Sequence, residues 1–159
     1  MSKEGSGMKS GQYRNERDSS GTTPEGAGKS SGDSVFVIQE HDSKKLHWDL
    51  RLEMGGVLRS WAVPKEPPTE PGVKRLAIPT TDHSLEYADF EGEIPDGQYG
   101  AGTVRIWDRG TFEPVEVDDE KGKIIFRMYG RRLSGVYCLI RTKTRGGKAQ
   151  WLFFRKKVD

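Results

Sequence analysis

From Val35 onward the sequence runs in short stretches of alternating polar and apolar residues, each broken by Gly, Pro or Asp. Successive side chains of a strand point to opposite faces, so this alternation specifies strands with one buried face. No segment sustains the 3.6-residue period of an amphipathic helix, and only the stretch around 82–90 has room for a helical turn. The spacing predicts strands at 35–40, 46–54, 57–63, 74–79, 103–108, 111–117, 122–129, 135–143 and 150–157, with Gly55-Gly56 closing a tight hairpin. A lone open sheet of that size would leave one face wet and its edges unpaired. The expected fold is therefore all-β, a closed antiparallel β-barrel of about eight strands with little helix, favoured over a stacked sandwich.

The first part of the chain has a different texture. Residues 1–34 hold seven glycines and eight serines but one aromatic, Tyr13, too little apolar surface to offset the entropy of ordering. We expect a flexible N-terminal segment over 1–34 that can order over the active site, and one barrel domain over 35–159. Charge is equally uneven. Residues 35–120 carry nine Lys/Arg against eighteen Asp/Glu, whereas 121–159 carry twelve against one. A basic C-terminal field attracts polyanions, and Tyr129, Tyr137, Trp151 and Phe153 among those charges suit a nucleic-acid backbone; an ordinary solvated face is the alternative. No stretch approaches the ~18–20 apolar residues of a membrane span, and the first thirty residues lack the apolar run of a secretory leader. The chain reads as cytoplasmic, with no membrane partner, and as a monomer. Its single cysteine, Cys138, excludes an internal disulfide and a cysteine-built zinc cage, and reads as inert core.

Any metal must then be held by imidazole and carboxylate, and residues 39–53 (QEHDSKKLHWDLRLE) offer both. From His47 the alternation puts His47, Asp49, Arg51 and Glu53 on one face, and Trp48, Leu50 and Leu52 on the core face. Residues two apart on a strand lie about 6–7 Å apart at Cα, so His47 and Asp49 can converge on one ion. His41 can fold back across Asp42-Ser43-Lys44-Lys45 to complete an N₂O set, which leaves room for water and substrate and suits Mn²⁺, Zn²⁺ or Fe²⁺. Solvated histidines on a polar strand face are the plainer alternative. Arg51, beside the metal on the same face, can grip a phosphate bidentately or pair with Glu53 or Asp49. His83, in the polar loop Thr80–Tyr87, can donate to a phosphoryl oxygen or serve as general acid. Lys65 and Arg75 add positive charge of undetermined direction. The glycine-rich segment 91–102 is too acidic to cradle a phosphate and reads as structural.

FVIQEHDSKKLHWDLRLE at 36–53, LRSWAVPKEPP at 58–68, RLAIPTTDHSLEYADFEGEIPDGQYGAGTV at 75–104 and WLFFRKK at 151–157 resemble the 3′-phosphoesterase domain of the bacterial DNA ligase D family, also found as stand-alone proteins. The resemblance implies a β-barrel enzyme dependent on manganese. It would trim a ribonucleotide from a primer 3′ end and then remove the resulting 3′-phosphate, in repair by non-homologous end joining. Zn²⁺ or Co²⁺ would bind the same site. Carried over residue by residue, it makes His41, His47 and Asp49 metal ligands and Arg51 and His83 phosphate contacts. Lys65, Arg75 and Tyr87 match positions that support activity, and Gln39 a position near the site. Family members have an Arg-Asp-aromatic stretch followed by Thr-Pro-Glu, whereas Arg17-Asp18-Ser19 lacks the aromatic and reaches Thr23-Pro24-Glu25 one residue later. Arg17, Asp18 and Glu25 either fold over the site when substrate binds or are idle. DNA or DNA/RNA primer 3′ ends are the implied substrate, with separate ligase, polymerase and end-binding proteins as partners.

The expected mechanism is metal-assisted hydrolysis without a covalent enzyme intermediate. Two rivals stand beside it. His47, Asp49 and His83 would form the 2-His-1-carboxylate triad of a non-haem Fe(II) oxygenase, although His41 would then have no role. A nucleic-acid-binding module with a structural metal is the other, although structural zinc usually has four protein ligands.

Overall fold

The computed structural model describes residues 34–142, 146–147 and 149–157. Arg17, Asp18 and Glu25, with the rest of the N-terminal segment before Ser34, lie outside the described residues. The strands are β1 (Ser34–Asp42), β2 (Leu46–Met54), β3 (Val57–Val63), β4 (Lys74–His83), β5 (Gly92–Ile94), β6 (Gly102–Asp118), β7 (Lys123–Gly130), β8 (Ser134–Arg141) and β9 (Trp151–Arg155), and a 3₁₀ turn spans Leu85–Asp89. They pair in the order β1-β2-β3-β4-β9-β8-β7-β6, every pair antiparallel, and β6 closes on β1. The result is the expected eight-stranded barrel, with β5 added outside it along the start of β6.

The alternation becomes a two-faced wall. Phe36 and Ile38 of β1, Leu50 and Leu52 of β2 and Trp61 and Val63 of β3 are fully or almost fully buried in the interior. They meet Phe126, Tyr137, Leu139 and Phe153 from the far side. Tyr137, Trp151 and Phe153 therefore do not serve a nucleic-acid surface: strand parity turns them inward, and the Tyr137 hydroxyl donates to Pro68 O at 2.8 Å. Of the four aromatics singled out, Tyr129 alone is exposed, and it donates to Glu113 at 2.6 Å. Cys138 is buried as expected.

Most strand boundaries fall within one or two residues of expectation, β5 was not expected, and two further stretches differ in kind. Segments 103–108 and 111–117 are one strand, because Arg109-Gly110 is a close crossing and not a turn. Gly110 pairs with Gly130, and a Cβ on it would strike the Tyr129 carbonyl. The polar stretch after Pro79 is not a loop either, since β4 continues to His83.

On the outer face of β1, β2 and β3 lies a second, smaller core. Val37, Leu58 and Ala88 are buried there with Tyr87 and Ile106 against them. The 3₁₀ turn is thus packed on the outside of the wall, and the polar residues of β1 and β2 lie beneath this cover. No helix among the described residues is long and apolar enough to cross a membrane.

Candidate metal centre

Register assembles the centre before any side-chain contact is considered. On the outer face of the β1–β2 hairpin His41 lies opposite His47, Gln39 opposite Asp49 and Val37 opposite Arg51, while Arg51 lies opposite Ser60 of β3. The short turn after Asp42 sets this register, so the predicted return of His41 towards His47 follows from hairpin geometry.

His41, His47 and Asp49 present ligand atoms that all lie within 4.8 Å of one another. His41 Nδ1 is 3.4 Å from Asp49 Oδ2, and His47 Nε2 is 3.3 Å from Asp49 Oδ1. The far nitrogens fix the tautomers. His41 Nε2 lies 2.8 Å from Gly100 O and His47 Nδ1 lies 3.0 Å from Lys45 O. A carbonyl only accepts, so each of those nitrogens carries a hydrogen, and the other nitrogen of each ring is turned towards the Asp49 carboxylate, with a lone pair available whenever the ring is neutral. Lone pairs facing an anion repel unless a cation or proton lies between them, so the donor set fits a divalent ion. Without metal the proton takes that place. The hydrogen bond to Asp49 raises the pKa of His47 above its ordinary value, against the opposing effect of burial. Burial pushes the Asp49 carboxyl up, but Arg51 and the two histidines outweigh it and hold it well below the usual carboxylate range.

Arg51 is the hub of the surrounding network and is only 4% exposed. Its Nε donates to Gln39 Oε1 at 2.7 Å, and its NH1 donates to Ser60 Oγ at 2.8 Å and lies 3.1 Å from His83 Nδ1. NH2 lies 3.4 Å from Asp49 Oδ2, and the guanidinium sits 4.9 Å from the Tyr87 ring centroid. With Nε and NH1 so committed, the bidentate phosphate grip expected from sequence is closed off, which leaves NH2 to meet an anion. Gln39, fully buried, donates through Nε2 to Tyr87 O at 2.9 Å and Phe90 O at 3.1 Å. It ties the 3₁₀ turn to the guanidinium. Glu53 is not a partner of Arg51, because it accepts from Val35 N at 2.9 Å.

His83 joins this group through Arg51 and packs on Tyr87 at 4.6 Å between ring centroids. Its own burial, followed by the neighbouring Arg51 charge, lowers its pKa to about 3, so the ring is neutral near pH 7. A neutral ring offers an N–H donor, and it would have to take up a proton before serving as the general acid that the sequence also allowed. Burial raises the Tyr87 phenol above its ordinary pKa, so it too stays protonated. Because His83 is held on Arg51 and lies outside the cluster of candidate ligands, the His47–Asp49–His83 triad of the oxygenase alternative is not assembled.

Lys65 and Arg75 are not drawn into this network. Lys65 is exposed just past β3, at the end of the wall where Val63 pairs with Trp48. Arg75 donates to Glu66 O at 2.7 Å and lines a depression with Glu66, Glu70 and Val73. Sequence reasoning missed Ser60, which orients Arg51, and the carbonyl of Gly100, which orients His41. Neither leaves a signal, since a serine on a strand is unremarkable and every residue has a carbonyl.

A family model described as the DNA Ligase D 3′-phosphoesterase domain matches residues 39–141, the span that contains every residue of this centre. The chain is 49% identical over 145 residues to the multifunctional non-homologous end joining protein LigD of Pseudomonas aeruginosa, covering 85% of this chain and 17% of that protein. To the protein of the same name from Mycobacterium bovis it is 49% identical over 152 residues, covering 92% and 19%, and to that of Mycolicibacterium smegmatis 46% over 157 residues, covering 91% and 20%. The chain thus spans about a fifth of the length of these relatives.

Proposed function

The chain belongs to the DNA ligase D 3′-phosphoesterase domain family, and from that premise we propose that it hydrolyses phosphate esters at DNA 3′ ends during repair by end joining. The finer reading is a manganese-dependent enzyme that removes a 3′-terminal ribonucleoside as a phosphodiesterase and then the resulting 3′-phosphate as a phosphomonoesterase. One observation carries it: two imidazole lone pairs and a carboxylate converge beside a buried guanidinium and a neutral histidine. This is a cation site placed against an anion site, as a phosphoryl group requires. Mn²⁺ suits the nitrogen and oxygen donors of His41, His47 and Asp49, and Zn²⁺ or Co²⁺ fits them too.

When bound, the ion supplies Lewis-acid polarisation of a phosphoryl oxygen and lowers the pKa of water. The remaining work belongs to the chain. Arg51 offers NH2 to a second phosphoryl oxygen, held in place by Gln39 and Ser60. His83 Nδ1 lies within reach of both Arg51 NH1 and Thr81 O but can serve only one of them. The permanently charged donor favours a bare Nδ1, which leaves Nε2–H to donate to the phosphate. Tyr87 holds the Arg51 plane and the His83 ring by contact with both. Lys65 and Arg75 act at longer range, drawing an anionic end towards the site. Each hydrolysis adds water across a P–O bond with no covalent enzyme intermediate: the diester step releases the nucleoside and leaves a 3′-phosphate, and the monoester step releases inorganic phosphate and leaves a 3′-hydroxyl. Polymerase, ligase and end-binding proteins are the partners that would use such an end.

The test is incubation of a labelled primer carrying one 3′-terminal ribonucleotide, with and without Mn²⁺, followed by sizing of the products. We expect a 3′-phosphate primer and then a 3′-hydroxyl primer, both dependent on metal and both lost in Asp49→Ala. Full activity in Asp49→Ala, or no cleavage by the wild-type protein with any divalent metal, would refute the reading.

A further inference from the structure

The loop that backs His41 also displays the most exposed large apolar side chain among the described residues. Tyr99 is 78% exposed. It follows one tight turn, in which Gln98 N donates to Pro95 O at 3.2 Å, and lies within a second, in which Ala101 N donates to Gln98 O at 3.1 Å. The next residue, Gly100, accepts from His41 Nε2 at 2.8 Å, and its α-carbon side lies against the His41 ring and Ile94. The Cα atoms of Tyr99 and Gly100 are about 3.8 Å apart across one trans peptide, so the tyrosine is tethered to a metal-ligand support. Its phenol also lies close enough to Tyr87 to influence that residue electrostatically.

An aromatic ring standing in water adds nothing to the core, and polar residues would satisfy the same turns. A tyrosine in that position offers a flat face with few rotatable bonds to immobilise. The reaction proposed above places a phosphorus at the metal cluster, and a 3′-terminal nucleoside brings its base to within one sugar of that phosphorus. Base–aromatic stacking is indifferent to base identity, which suits an enzyme that must accept any broken end.

We propose that Tyr99 is a substrate-binding residue that stacks on the unpaired base of the 3′-terminal nucleoside. The inference rests on the phosphoesterase reading and adds a subsite to it. It also requires the terminal base to leave its pair, so frayed and single-stranded ends bind better than blunt ones.

Three proteins are compared, wild type, Tyr99→Ala and Tyr99→Phe, on a single-stranded 3′-phosphate primer with Mn²⁺. Stacking is worth about 1–3 kcal/mol per base, and each 1.4 kcal/mol is tenfold. Tyr99→Ala should therefore raise KM by about 5- to 140-fold, with the loss falling on KM and not on kcat, and Tyr99→Phe should restore most of it. Thermal melting checks that the alanine variant is folded. A primer with an abasic 3′-terminal sugar should cost the wild type the same factor and Tyr99→Ala almost nothing. A KM unchanged in Tyr99→Ala, or an equal abasic penalty in both proteins, overturns the stacking role. A 2-aminopurine at the 3′ terminus separates the two layers, because stacking quenches its emission whether or not turnover follows. Quenching by wild type but not by Tyr99→Ala, without phosphate release, would sink the phosphoesterase reading and leave the stack standing. Turnover with identical emission in both proteins would do the reverse.

Discussion

Replacing Gln39 with methionine tests whether the candidate site is held as one unit. The side chains have similar length, so the volume is kept while every polar contact is removed. Gln39 is fully buried, accepts from Arg51 Nε at 2.7 Å and donates to Tyr87 O and Phe90 O at 2.9 and 3.1 Å. A hydrogen bond from a charged group contributes about 1.5–3 kcal/mol, and stranding that donor in the dry costs at least as much. Tyr87 O keeps a partner, because Phe90 N donates to it at 3.1 Å, whereas Phe90 O loses its bond to Gln39. Adding about 0.5–1.5 kcal/mol for each neutral bond gives an expected loss of about 3–5 kcal/mol. Urea unfolding followed by tryptophan fluorescence measures it, with the slope unchanged if only the native state is affected. Phosphate release should fall further than stability explains, by about 100-fold in kcat/KM or about 2.7 kcal/mol, as Arg51 and the 3₁₀ turn lose their common anchor. Gln39→Glu divides the two roles, since a carboxylate keeps the arginine and faces the two carbonyls with no hydrogen to give. A stability loss below about 1 kcal/mol together with undiminished turnover would show that Arg51 is positioned without Gln39, and the reasoning would be wrong.

Asp108, 4% exposed, accepts from the backbone of Arg109, Arg131, Arg132 and Leu133 at 2.8–3.1 Å and so pins the turn between β7 and β8. Asp108→Ala should lose about 3–4 kcal/mol in urea unfolding, mostly from the buried Leu133 amide, and Asp108→Asn less, since an amide oxygen still accepts. Burial raises the Cys138 thiol above its ordinary pKa, which lowers its thiolate fraction at any pH below that value. Iodoacetamide at pH 8 should therefore label the native protein at least about tenfold more slowly than the urea-unfolded chain; equal rates would place Cys138 at the surface.

The barrel was legible because its information is local. The alternation from Trp48 to Leu52 sorts side chains to two faces, and burial of Leu50 and Leu52 against the outward His47, Asp49 and Arg51 follows from parity alone. Joining His41 to His47 needed only a hairpin closed by a short turn. What could not be read depends on contacts between segments far apart in sequence. The carbonyl of Gly100 reaches His41 across 59 positions, and Gln39 reaches Phe90 across 51. The glycine-rich segment was read as structural, and through the Gly100 carbonyl it supports a candidate ligand. Arg109-Gly110 misled for the opposite reason, since a glycine next to a charged residue signals a turn. Here its missing side chain lets β6 pass close to the Tyr129 carbonyl.

His83 shows how narrow the margin is between a legible site and a hidden one. Thr80 pairs with Ser60 and so faces outward, and strict alternation from there would send residue 83 to the inner face. The register shifts instead, so that Thr81 and Asp82 together oppose Arg59, and His83 pairs with Leu58. One extra residue in β4 reverses parity, as a β-bulge does, and returns the imidazole to the outer face within 3.1 Å of Arg51. The sequence signalled only a polar stretch after a proline, compatible with a loop. Without the bulge the same histidine would enter a barrel already filled by Leu52, Trp61 and Phe153, where a neutral imidazole would find apolar neighbours and no arginine. The outer face of a filled barrel thus gains His83 only because β4 is out of step with β3. That mismatch is fixed by the pairing of two strands, and neither strand's sequence encodes it alone.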